Sequence, residues 1–115
     1  MSFNSVGLAG FQRLCSTNDL EEKKGKRFII DDTDIAVFLI EKKVYAVGNI
    51  CPHQHTALIY DGFLEDGFVV CPAHGWKFDL TTGKTSEGGK GLDVYESKLV
   101  GDQVYIKIQD KKSNW

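Results

Sequence analysis

Two short segments decide how this chain folds and what it binds: Cys51-Pro52-His53 and Cys71-Pro72-Ala73-His74. Each supplies one thiolate and one imidazole, and seventeen residues separate His53 from Cys71. Sulfur and nitrogen donors suit zinc or an iron–sulfur cluster, whereas calcium and magnesium are held mainly by oxygen. The two cysteines and two histidines are therefore our candidate ligands for a metal centre.

The ligand order Cys-x-His followed by Cys-x-x-His resembles that of Rieske proteins, where two histidines replace two cysteines on one iron of a [2Fe–2S] cluster. Residues 71–83, CPAHGWKFDLTTG, are also similar to the second cluster loop of Rieske-type ferredoxins and the strand that follows it. The resemblance implies that Cys51 and Cys71 bind the buried iron. It implies that His53 and His74 bind the outer iron.

The hydrophobic pattern predicts an all-β protein. Short runs rich in β-branched residues are separated by turn signals, and no stretch has a sustained 3.6-residue apolar period. Residues 35–40 are continuously apolar, which predicts a strand covered on both faces. The resemblance implies a Rieske-like antiparallel β-sandwich, with a small cluster-binding lobe of about residues 49–81 inserted between strands. We expect one Rieske domain over residues 1–115.

The two prolines of the chain support the ligand assignment. Pro52 and Pro72 each follow a candidate ligand cysteine directly. Proline fixes its own φ and drives the preceding residue towards extended conformations, so both cysteines are expected to have little backbone freedom. Gly75 is expected to let the chain turn closely after His74.

Formal charge explains what the histidines contribute. Two ferric ions, two sulfides, two thiolates and two neutral imidazoles sum to zero, whereas an all-thiolate cluster is two units more negative. Histidine ligation therefore makes reduction easier, in line with potentials of about −150 to +300 mV for Rieske centres.

Departures from the high-potential Rieske proteins of cytochrome bc complexes narrow the subtype. Those proteins have two extra cysteines in a disulfide, and the corresponding residues here are Thr56 and Ala73. They also have serine and tyrosine where this chain has Trp76 and Phe78, which we expect to be packing residues. The resemblance thus implies a low potential, as in the ferredoxins of bacterial dioxygenase systems.

Some residues outside the four candidate ligands also have predicted roles. His55 lies two residues beyond His53 and could bind the metal by spacing alone, but the resemblance selects His53. Cys15 is expected to be a small apolar strand residue, and Tyr60 is assigned to a strand. The glycine-rich residues 86–91 are expected to form a surface loop, although the family often has proline in the loop that covers the cluster.

Charge, hydrophobicity and cysteine content bear on the partners and the location of the protein. A formal net charge of −2 gives no reason to expect nucleic acid as a partner. Residues 1–10 contain no basic residue and no sustained apolar run, and no segment reaches membrane-spanning length. With Cys51 and Cys71 on a metal, Cys15 remains a lone thiol, which favours a reducing compartment. We expect a cytoplasmic monomer that does not contact membranes.

The function most consistent with these features is one-electron transfer from a reductase to a terminal oxidoreductase such as a dioxygenase. The first alternative is the small subunit of an NADH-dependent nitrite reductase, which is similar in size and fold. The second is a structural zinc module, since zinc favours tetrahedral sites built from cysteine and histidine. We expect no catalytic activity in this chain, because no nucleotide-binding loop or nucleophile motif occurs in the sequence.

Overall fold

The computed structural model describes residues 10–51, 57–73, 75–85 and 91–108. Within these ranges the regular structure consists of nine strands and two short 3₁₀ turns, Thr17–Asp19 and Ile59–Asp61. The strands are β1 (Gln12–Ser16), β2 (Gly25–Ile30), β3 (Thr33–Ile40), β4 (Lys43–Gly48), β5 (Phe63–Glu65), β6 (Phe68–Val70), β7 (Lys77–Asp79), β8 (Val94–Val100) and β9 (Gln103–Lys107). The predicted all-β class is confirmed.

The strands form two antiparallel sheets. The larger sheet has the order β1-β9-β8-β4-β3-β2, and the smaller has the order β5-β6-β7. Two residue pairs, Ala46 with Tyr95 and Val47 with Val94, join β4 to β8 within the larger sheet. The smaller sheet is inserted in the sequence between β4 and β8, as predicted for the lobe. The extent of the lobe, about residues 49–81, remains a prediction.

Tight two-residue turns close three of the hairpins. Both residues of each turn have positive φ values, which match the right-handed twist of the flanking strands. The turn residues are Asp31 (51°) and Asp32 (64°), Glu41 (49°) and Lys42 (68°), and Asp66 (50°) and Gly67 (85°). Each turn fixes the register of its hairpin, and the turn at residues 66–67 fixes the pairing of β5 with β6 in the smaller sheet.

Two clusters of buried residues form the interior. The basal core draws on both halves of the larger sheet, which therefore packs against itself as a sandwich. Its members are Cys15, Leu20, Ile35, Val37, Ala46, Tyr95, Val104 and Ile106. The lobe core joins the larger sheet to the smaller one. Its members are Ala36, Phe38, Val47, Cys51, Ile59, Val69, Cys71, Phe78, Leu80 and Leu92.

Strand β3 belongs to both cores. Ile35 and Val37 face the basal core, Ala36 and Phe38 face the lobe core, and all four are fully buried. Successive side chains of a strand point to opposite faces, so a strand between two cores must be apolar at every position. The predicted two-sided burial of residues 35–40 is confirmed for the first four of them.

Candidate metal centre

Two of the four candidate ligands lie in the same part of the structure. Cys51 comes three residues after β4 and Cys71 directly after β6, and their exposed fractions are 0% and 1%. Both belong to the lobe core, whereas Cys15 belongs to the basal core. None of the three cysteines forms a disulfide. The fold therefore separates the predicted ligand pair from the third thiol, and Cys15 is a buried strand residue as predicted.

The predicted histidine ligands cannot be placed in the same way. His53, His55 and His74 lie outside the described residues, as do Thr56 and residues 86–90. The assignment of His53 and His74 as ligands, and the exclusion of His55, remain predictions.

Main-chain hydrogen bonds close the base of the first loop, residues 50–58. The N–H of Asn49 donates to the carbonyl oxygen of Asp34 at 3.0 Å, and the N–H of Ile59 donates to the carbonyl oxygen of Asn49 at 3.2 Å. An isolated antiparallel bridge joins Ile50 to Ala57. The two ends of the first loop are therefore held together, and Cys51 lies next to this closed base.

The side chain of Asn49 reinforces this closure. Asn49 is fully buried, its Nδ2 donates to Oδ1 of Asp34 at 2.9 Å, and its Oδ1 accepts from the N–H of Tyr60 at 2.7 Å. Asn49 was not predicted from the sequence, because an asparagine after a strand is typical of an ordinary turn. The prediction of Tyr60 in a strand is wrong, since this residue lies in the 3₁₀ turn Ile59–Asp61. The turn lets the Tyr60 N–H reach Asn49.

Arg27 in turn orients Asp34. Nε of Arg27 donates to Oδ1 of Asp34 at 3.0 Å, and Nη2 donates to Oδ2 at 2.7 Å. The hydrogen bonds from Arg27 lower the pKa of Asp34, and the bond from Asn49 lowers it further against the opposing effect of burial. Because the folded-state pKa lies below the ordinary value, the resulting stabilisation is present above the ordinary carboxyl pKa. It is lost as the pH falls through the lowered one.

The second loop begins with a compact turn. The N–H of Cys71 donates to the carbonyl oxygen of Trp76 at 2.8 Å, and the N–H of Gly75 donates to the carbonyl oxygen of Cys71 at 2.9 Å. Gly75 has φ of 78°, a conformation that favours glycine, as predicted for a close turn. Trp76 packs against the lobe core and Phe78 is fully buried in it, with ring centroids 6.4 Å apart. Their predicted packing role is confirmed.

The described residues on either side of residues 86–90, where a third loop is predicted, are held together in the same way. Gly83 has φ of 78°, and its carbonyl oxygen accepts from the N–H of Leu92 at 2.8 Å. A Cβ atom on Gly83 would lie 2.1 Å from the carbonyl oxygen of Leu92, and one on Gly91 would lie 2.1 Å from the carbonyl oxygen of Gly83. Both ends of this loop therefore require glycine for close backbone contact. How well the loop covers a cluster lies outside the described residues.

These features fit the thiolate half of an iron–sulfur site. Two buried cysteines share one apolar cluster, each begins a loop with a hydrogen-bonded base, and neither is consumed in a disulfide. A protein-family model described as a Rieske-like [2Fe-2S] domain matches residues 10–107. The chain belongs to this family. The resemblance seen in the ligand motifs is confirmed, and the cofactor of this Rieske domain is a [2Fe–2S] cluster.

Ferredoxin components of oxygenase systems are similar to most of the chain. The ferredoxin component of an alkene monooxygenase system from Xanthobacter autotrophicus is 30% identical over 81% of this chain and 77% of its own length. The anthranilate 1,2-dioxygenase ferredoxin subunit of Burkholderia cepacia is 30% identical over 88% of this chain and 94% of its own length.

Solved structures show the same fold at lower identity. A structure assigned as an NADH-dependent nitrite reductase small subunit from Mycobacterium tuberculosis has a TM-score of 0.79 and 21% identity. It covers 87% of this chain, and 96% of that structure is matched. The match confirms the Rieske-like antiparallel architecture. Among the described residues of this Rieske domain, no helix is long and apolar enough to cross a membrane.

Proposed function

We propose that this chain is a Rieske ferredoxin, which accepts one electron from a reductase and passes it to a terminal oxidoreductase such as a dioxygenase. The observation that carries the proposal is the burial of Cys51 and Cys71 in one apolar core of a Rieske domain. Relatives that are 30% identical over most of the chain are ferredoxin components of oxygenase systems. In this role the chain carries electrons and catalyses no reaction of its own.

The proposed ligand set is Cys51 and Cys71 on the inner iron and His53 and His74 on the outer iron. The full burial of both cysteines supports the inner position, because it keeps the thiolate side away from solvent. Cys15 cannot substitute for either cysteine without unfolding, since it lies in the basal core. When bound, the cluster supplies one-electron redox chemistry at a potential raised by its histidine ligands.

The contribution of the protein is to hold its ligands still while the charge changes. Pro52 and Pro72 restrict the ligand cysteines, and hydrogen bonds close the bases of both ligand loops. Main-chain N–H groups in such loops stabilise negative charge on sulfur and so tune the potential. A rigid cage of this kind favours fast electron exchange because little of the protein must rearrange.

The proposed partners are a reductase and a terminal oxygenase, met one at a time by a cytoplasmic monomer. A shuttle must release each partner quickly, so its contacts are small. Two exposed apolar side chains suit such contacts. Ile50, which is 41% exposed, precedes Cys51, and Phe63, which is 65% exposed, pairs with the residue before Cys71. The nitrite reductase small subunit is a weaker candidate, because its similarity at 21% identity concerns the fold alone.

The first experiment tests the cofactor and its ligands. Protein purified without oxygen is expected to contain iron and acid-labile sulfide and to give the EPR spectrum of a reduced Rieske cluster. His53→Ala and His74→Ala are expected to abolish that spectrum, whereas the matched control His55→Ala retains it. A colourless protein containing only zinc would contradict the proposal and support the structural zinc module. Loss of the spectrum only in His55→Ala would overturn the ligand assignment.

The second experiment tests electron transfer. Mixed with NADH, a flavoprotein reductase and an oxidised terminal oxygenase of a dioxygenase system, the chain is expected to raise the rate of oxygenase reduction in proportion to its concentration. The His74→Ala variant serves as the inactive control. Stable co-purification with a sirohaem protein, together with no stimulation in this assay, would contradict the carrier and favour the nitrite reductase subunit.

A further inference from the structure

We propose that Asn49 is a positioning residue for the first cluster loop, and that its hydrogen bond to Asp34 determines how firmly Cys51 holds its iron. This inference rests on the proposed function, since it concerns the retention and spectrum of the cluster. It assigns a role to two residues that lie outside the ligand motifs.

Asn49 is the point where three separate segments meet. It lies between the end of β4 and Cys51, two residues before that cysteine. Its main chain bonds to Asp34 and Ile59, and its side chain bonds to Asp34 and Tyr60. Both ends of the loop are thus attached to β3 through a single fully buried residue.

The chemistry of its neighbours leaves the amide only one orientation. The carboxylate of Asp34 can only accept hydrogen bonds, so it requires the NH₂ group of Asn49. The N–H of Tyr60 can only donate, so it requires the amide oxygen. Arg27 holds both oxygens of the carboxylate with two hydrogen bonds, one of them to the same Oδ1 that accepts from Asn49, and so limits its rotation. A residue with the same shape but no NH₂ group would therefore break the arrangement.

The substitution Asn49→Asp makes this change with almost no change in volume. One oxygen of the new carboxylate still accepts from Tyr60, but the other faces Oδ1 of Asp34 at the former 2.9 Å contact. Where both carboxylates are ionised, a fully buried one at residue 49 and the partly buried one of Asp34 repel each other at this distance, which pushes the loop away from β3. The measurement is therefore made at a pH well above the carboxyl range. We expect Cys51 to become more mobile and the cluster to be lost more easily.

A double variant tests the direction of the bond. In Asp34→Asn with Asn49→Asp, the NH₂ group is on residue 34 and the carboxylate on residue 49, so the hydrogen bond re-forms with its polarity reversed. Nη2 of Arg27 keeps an acceptor oxygen, and its Nε can turn to water because the side chain is 44% exposed. Asp34→Asn alone keeps an oxygen that accepts from Asn49 and from Nε of Arg27, while its NH₂ group replaces Oδ2 and removes both the ion pair and the hydrogen bond to Nη2, which can turn to water.

The measurement is the rate at which an iron chelator bleaches the visible absorbance of the loaded protein, together with its EPR spectrum. Asn49→Asp is expected to release the cluster about tenfold faster than the unmodified protein and to broaden the spectrum. The double variant and Asp34→Asn are expected to stay within about threefold of it. Ser97→Ala is the control, since it removes a partly buried hydrogen bond to Val44, 2.9 Å long, between β8 and β4.

Each outcome supports or overturns the inference. Fast release in Asn49→Asp with recovery in the double variant supports it, including the case where only the double variant assembles a cluster. Release from Asn49→Asp no faster than from Ser97→Ala overturns it, as does failure of the double variant to recover. Absence of a cluster from the unmodified protein would instead refute the proposed function, so the two failures are distinguishable.

Discussion

Cys15 lies on β1 in the basal core with an exposed fraction of 5%. Burial raises the pKa of its thiol, and the nearby carboxylate of Asp19 raises it further. The thiolate is the reactive form of cysteine, so at neutral pH this side chain is both shielded and protonated. The position in the basal core that separates Cys15 from Cys51 and Cys71 is therefore expected to protect it from modification as well.

We therefore predict that iodoacetamide at pH 7.5 leaves Cys15 unmodified in the loaded protein. Mass spectrometry of peptides before and after unfolding in urea measures the extent of modification. In urea all three cysteines are expected to react, which provides the control. Modification of Cys15 in the folded protein at the rate seen in urea would show that the basal core opens readily.

Two phenylalanines of the smaller sheet provide a matched pair. Phe78 on β7 is fully buried in the lobe core, whereas Phe63 on β5 is 65% exposed. Removing a buried aromatic ring costs about 3–5 kcal/mol, partly because a cavity remains. We predict a loss of that size in the free energy of unfolding for Phe78→Ala and a change within about 0.5 kcal/mol for Phe63→Ala. Urea unfolding measures both, and equal losses would contradict the assignment of the lobe core.

At the scale of elements, the lobe docks on β2 through a close backbone contact. A Cβ atom on Gly25 would lie 2.3 Å from the carbonyl oxygen of Tyr60 and 2.6 Å from the ring of Phe38. Gly48, on β4, has its nearest such contact at 3.6 Å, which is ordinary van der Waals distance. The two glycines therefore differ in what an added methyl group would meet.

We predict that Gly25→Ala destabilises the protein by about 1–3 kcal/mol, because the 3₁₀ turn Ile59–Asp61 must move away from β2. Gly48→Ala is the control and is expected to change the free energy of unfolding by less than about 0.5 kcal/mol. Thermal unfolding of the loaded variants measures the difference. A Gly25→Ala protein as stable as the control would mean that the turn can shift without cost.

Some features of these elements could be predicted from the sequence and others could not. The continuous apolar run at residues 35–40 predicted β3 correctly, because a strand buried between two cores is apolar on both faces. Cys51 and Cys71 were predicted as ligands because metal sites need particular donor atoms at particular spacings, and the structure buries both in the lobe core, while their role as ligands stays a prediction. The polar bond between Asn49 and Asp34 left no such pattern, since it depends on a tertiary contact between β3 and the end of β4. The glycine contact between residues 83 and 91 is hidden for the same reason.

At the scale of the whole molecule, the two cores differ in whether they contain the predicted ligand cysteines. Cys51 and Cys71 both lie in the lobe core, and each of the three loop bases contributes a residue to it, namely Ile59, Cys71 and Leu92. The basal core contains neither cysteine, and it is built from β1, β3, β4, β8 and β9. Strand β3 connects the two cores, so the question is whether they lose stability together.

We predict that removing the cluster loosens the lobe and leaves the basal core folded. Metal binding stabilises only the structure that presents its ligands, and local opening requires less free energy than global unfolding. Hydrogen–deuterium exchange followed by mass spectrometry, on loaded and chelator-treated protein, measures the effect by segment. Amides of β5, β6 and β7 are expected to lose protection, whereas those of β8 and β9 keep it. Equal loss of protection in both regions would contradict this division and show that β3 couples the cores into one cooperative unit.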